Sequence, residues 1–101
     1  MMGSSNFCEW KGHLVGVAHQ SALIDGHKHY SHYWILLDKD LNVTGVSDPF
    51  TFEGAMVEFC TSLHVNKSKR IAYLWYSVMD AAPSMVQTDL DKIRFHRVEM
   101  K

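Results

Sequence analysis

Residues 70–78, Arg70-Ile71-Ala72-Tyr73-Leu74-Trp75-Tyr76-Ser77-Val78, form an almost unbroken apolar run rich in aromatic and β-branched side chains. Such a run, closed by Asn66-Lys67-Ser68-Lys69 before it and Asp80-Ala81-Ala82-Pro83 after it, reads as an inner β-strand covered on both faces. Its neighbours follow the same grammar. Val57-Glu58-Phe59-Cys60-Thr61-Ser62-Leu63 alternates apolar and polar with period two, and Ser84–Thr88 reads as the returning strand of a hairpin. Upstream, His13–His19 and Tyr30–Leu37 flank the Asp25-Gly26 hairpin signal, and Asp38-Lys39-Asp40 turns the chain into a strand over Asn42–Val46 that Ser47-Asp48-Pro49 stops. Residues 90–95 admit two readings, a short helical turn capped by Asp89 with Asp91 in its first turn, or an edge strand. Six or seven short strands at this spacing predict an all-β, antiparallel meander.

The whole chain, 101 residues, has room for one domain and one core, spanning residues 1–101. Its composition, 47% hydrophobic and 21% charged, is that of a globular protein. A net charge of −1 with mixed signs leaves no basic stripe for nucleic acid. No stretch approaches the ~20 apolar residues of a membrane helix, and the N-terminus lacks the pattern of a signal peptide, so the expectation is a cytoplasmic protein with no membrane partner. Cys8 and Cys60 then read as small buried hydrophobes in a reducing compartment.

The segment His27-Lys28-His29-Tyr30-Ser31-His32 poses the question of a metal site. Zinc needs three or four ligands converging on one point. Along a strand, His27 and His29 share one face while His32 has the opposite parity and joins Tyr30, which argues against a three-histidine site. No metal or other cofactor is expected.

In order, the chain carries Gly3-Ser4-Ser5-Asn6, a strand ending at His19, Tyr30-Ser31-His32-Tyr33, Ser47-Asp48-Pro49-Phe50-Thr51-Phe52, Glu58-Phe59-Cys60-Thr61-Ser62-Leu63 and Ser77-Val78-Met79-Asp80. This set, spread over residues 3–95, resembles the C-terminal portion of five-bladed β-propeller carbohydrate-active proteins, of the mannoside-phosphorylase-like glycosidase and glycosyltransferase-associated type. The resemblance implies about two propeller-like blades and a glycan ligand. It also implies that Gly3-Ser4-Ser5-Asn6 is native rather than leader sequence. Three positions depart from the family pattern: Tyr33 stands in place of an arginine, and Ser62 and Ser77 in place of glycines. Losing the arginine removes a fork suited to phosphate, which weakens a phosphorolytic role.

By the same resemblance, Glu58 and Asp80 are candidate catalytic carboxylates, and His19, His32, Tyr30 and Tyr76 candidate sugar contacts. Each has a plain structural reading beside it. Glu58 also fits a lysine-paired glutamate on a half-exposed strand, Asp80 a turn former, and the tyrosines core residues with hydroxyls at the rim. The family's second carboxylate region lies N-terminal to the matched stretch, so the chain alone is expected to bind rather than turn over a glycan. The competing expectation is a small non-enzymatic β protein, a homo-oligomer or partner binder working through exposed strand edges, since Trp10, Trp34, Trp75, Tyr73 and Phe50 need more cover than so few strands supply.

Overall fold

A computed structural model describes residues 2–52, 58–78 and 83–98. The fold is all-β and antiparallel, in two sheets. The larger contains β1 (Met2–Gly3), β2 (Cys8–Trp10), β3 (His13–Ile24), β4 (His27–Leu37), β5 (Val43–Ser47) and β9 (Phe95–Arg97), ordered β1-β3-β4-β5-β9 with β2 also pairing with β3. The smaller is a meander of β6 (Glu58–Asn66), β7 (Ile71–Val78) and β8 (Ser84–Asp89).

The β3–β4 hairpin is closed by Asp25 and Gly26, whose φ values of 52° and 79° are the left-handed pair that a two-residue turn requires. Its register runs unbroken from Leu14↔Leu37 to Ile24↔His27. No bulge intervenes, so His27 and His29 stay on the face opposite His32. At the next turn the Asp38 carboxylate accepts from the backbone N–H groups of Asp40 and Asn42, each at 2.9 Å. Those bonds hold the Asp38 carboxyl below its ordinary range.

Direct pairing places Val15 and Leu36, Val17 and Trp34, and His19 and His32 along one face of the large sheet. That face meets Cys60, Leu63, Ala72 and Leu74 of the small sheet, with Trp10 and Leu90 completing the core. Cys60 and Leu63 lie three apart yet both point inward, because the register with β7 shifts between Cys60 and Ser62 and Thr61 is the extra residue of a bulge.

Residues 90–95 resolve into both of the local forms expected of them. Asp89 caps a 3-10 turn over Leu90–Lys92, accepting from the Asp91 N–H at 3.0 Å, and the chain then enters edge strand β9. The expectation for β7 needs correction. It is the central strand of its sheet, but only Ala72 and Leu74 are sealed in the core; Trp75 on its other face is 36% exposed. The apolar run reflects one buried and one open aromatic face rather than burial on both.

The N-terminal stretch is built in. The Ser4 and Ser5 N–H groups donate to the Val17 carbonyl at 3.0 and 3.1 Å, and the Ser5 hydroxyl accepts from the Val17 N–H at 2.9 Å. Asn6 pairs with Leu63 as a strand residue would, its side-chain amide donating to the Leu63 carbonyl and accepting from the Leu63 N–H, both at 2.9 Å. One short polar segment thus ties the two sheets together. Phe7 then lies over Gly16, where a Cβ would come within 2.4 Å of its ring.

No helix among the described residues is long and apolar enough to cross a membrane.

Candidate functional site

Beyond Ser47 the chain stays beside β4. Pro49 ends the strand, but Phe50 exchanges two backbone bonds with His32, donating at 2.8 Å and accepting at 2.9 Å. This bridge sets the Phe50 and Phe52 rings against the imidazole, with centroids 5.7 and 4.8 Å away. From the opposing sheet, Glu58 points inward at the start of β6. One carboxylate oxygen accepts from the Phe52 N–H at 2.6 Å and lies 3.5 Å from His32 Nε2. Neither His32 nor Glu58 has any exposed surface.

A buried histidine beside a buried carboxylate is pulled two ways. Here burial dominates and pushes the His32 pKa below its ordinary value of 6.5; Glu58 opposes the shift, and the nearby His19 adds to it. The imidazole is therefore neutral at pH 7. Among the described residues neither of its ring nitrogens reaches hydrogen-bond geometry.

The six residues nominated from sequence separate into two groups and one remainder. Glu58, His32 and Tyr76 meet through Phe52, whose ring stacks on Tyr76 at 4.4 Å with the planes 9° apart. His19 and Tyr30 form a second group: their rings lie parallel at 5.6 Å, Phe59 stands edge-on to Tyr30 at 4.9 Å, and the Ser4 hydroxyl bonds His19 Nδ1. Asp80 lies outside the described residues. Tyr33, at the family's arginine position, projects from the sheet face opposite His32.

None of the described ones lines the cleft between the sheets. That cleft, about 440 Å³, opens where the two sheets diverge. Trp34, Phe50, Phe52, Leu74 and Ile93 make its apolar wall, and Asp48, Thr88, Lys92 and Arg94 supply its polar groups. Phe50 and Phe52 both line the cleft and pack on His32, so the buried pair braces the cleft wall from behind. Trp34 is braced in turn by Ser47, whose buried hydroxyl accepts from the Trp34 N–H at 2.8 Å. The signal for this site in the sequence is Ser47-Asp48-Pro49-Phe50-Thr51-Phe52, singled out as a motif but not as a binding surface. Nothing local marks Lys92 or Arg94, which arrive through the turn between the two sheets.

Cysteine and metal chemistry find little footing. Cys8 and Cys60 are free thiols, and burial pushes the Cys60 pKa up to about 11, leaving it protonated at neutral pH. Among the described residues, no group of three or more His, Cys, Asp or Glu side chains is placed to hold a metal ion. Comparison of the chain with protein-family models, curated proteins and solved structures finds no match.

Proposed function

We propose that this chain is a carbohydrate-binding β module that takes a glycan in the cleft between its sheets and does not by itself hydrolyse or phosphorolyse it. The observation that carries this reading is the cleft's make-up: three aromatic rings on the wall, with hydroxyl, carboxylate and basic groups at its edge. Pyranoses present apolar C–H faces that pack on such rings, while their hydroxyls need hydrogen-bonding groups around the rim. The resemblance to propeller glycosidases points the same way, because the Ser47–Phe52 stretch that helps carry it supplies much of the wall. A catalytic role for Glu58 is disfavoured by its burial, since a general acid or base must reach the glycosidic bond.

Saturation-transfer NMR with manno-, gluco- and arabino-configured oligosaccharides tests the reading. Binding in the millimolar range or tighter is expected, weakened at least tenfold, about 1.4 kcal/mol, by Phe50→Ala. Absence of binding to every sugar would sink it.

A second reading, self-association, is favoured by one observation. Strand β8 is an edge whose Met85, 47% exposed, lies across from the open Trp75. Sedimentation equilibrium at micromolar concentration separates the two. A dimer mass lost on Met85→Lys supports edge pairing, and a strict monomer contradicts it.

A further inference from the structure

The cleft is not electrically neutral, and its charges narrow the class of sugar it takes. Among the described residues lining it, Lys92 and Arg94 are the cations and Asp48 the carboxylate. Their situations differ. The Asp48 carboxylate faces His96, whose Nε2 lies 2.7 Å from Oδ1. Lys92 and Arg94 have no ion-pair partner among the described residues. Of the other basic side chains near that turn, Lys11 and Arg70 both pair with Asp91, at 3.2 and 3.1 Å. Among the described residues, two cations without an ion-pair partner thus line an aromatic cleft whose described carboxylate already faces a histidine.

Resting on the sugar-binding reading above, we infer that the ligand is an acidic glycan carrying a carboxylate, a uronic-acid sugar, with its ring against Phe50 and Phe52 and its carboxylate toward Arg94 and Lys92. Arginine presents parallel N–H donors that match a carboxylate in two-point contact, and lysine adds a compact charge with rotatable donors. A neutral sugar satisfies the rings but leaves both cations unanswered. Thr88, which also lines the cleft, offers a hydroxyl to the ring substituents.

The test compares mannuronate and glucuronate oligomers with their methyl esters, which keep the ring and remove the charge. Titration calorimetry at low salt is expected to show the acids binding about tenfold tighter than the esters. The gap should shrink in 1 M NaCl, where the screening length falls to about 3 Å. The double variant Lys92→Gln, Arg94→Gln should bring the acid-to-ester ratio close to one, whereas Phe50→Ala should weaken acid and ester together. Esters binding as well as the acids would overturn the inference and leave the sugar-binding reading standing. No binding of either form would overturn both. Displacement of the uronate by an equal concentration of inorganic phosphate, with no dependence on Phe50, would show a bare anion site and also overturn it.

Discussion

Glu58→Ala is expected to lower the unfolding free energy by about 1–3 kcal/mol, the usual cost of leaving a buried donor without its acceptor. For a domain whose total stability is about 5–15 kcal/mol, that is a large share. The loss has two sources. The Phe52 N–H loses the acceptor it holds at 2.6 Å, and His32 loses the carboxylate facing its Nε2 in a pocket closed to water. Glu58→Gln keeps an oxygen for the Phe52 N–H and nearly the same volume, so its cost should be less than half as large. Urea unfolding followed by tryptophan fluorescence measures both, and a loss below about 1 kcal/mol for the alanine variant would contradict the arrangement. The same assay run against pH reads the histidine. His32 binds its proton less readily folded than unfolded, so the unfolded chain takes up more protons as pH falls through 6.5, and stability declines until the lowered folded pKa is passed. His32→Gln should flatten that part of the profile.

Trp34→Ala is expected to cost about 3–5 kcal/mol and to abolish glycan binding together. The indole is 4% exposed, faces Val17 across the β3–β4 pair and lies 6.2 Å from the Phe50 ring, so it belongs at once to the core and to the cleft wall. Removing it opens a cavity beneath Phe50 and leaves that ring without its support. Trp34→Phe restores a ring in the same place and should recover part of both properties. Thermal melts and sugar titrations on the two variants check this, with urea kept low enough that each remains folded. A fully folded alanine variant with undiminished binding would place the ligand elsewhere.

Much of the framework could be read from local chemistry. Asp25-Gly26 marks its turn because two consecutive left-handed residues are needed there, and strand parity alone separates His27 and His29 from His32. Asp89 was legible as a cap for the same local reason. What escaped was long-range. Strands β1 and β2 are too short to carry a periodic signal and exist because β3 offers them an edge. The Thr61 bulge breaks the period-two pattern of β6, which is why Cys60 and Leu63 share the core. Glu58 shows the limit most sharply. Its parity was plain from Val57 and Phe59, but full burial against His32 and the Phe52 N–H depends on the other sheet, and a glutamate on an alternating strand ordinarily faces water. The cleft was half legible: the Phe50 and Phe52 pair stood out in its motif, whereas Lys92 and Arg94 reach it only through the packing of the C-terminal turn.

The measurement that bears most directly on the central claim, that the inter-sheet cleft takes a glycan, is a two-dimensional ¹H–¹⁵N NMR titration of the intact chain with uronate and neutral oligosaccharides. Binding in the cleft predicts saturable shifts confined to the Trp34 indole and to the amides of Asp48, Phe50–Phe52 and Lys92–Arg94, with the Trp75 indole on the opposite face of β7 unmoved. Shifts centred on Trp75 and Met85, or none at millimolar sugar, would contradict it.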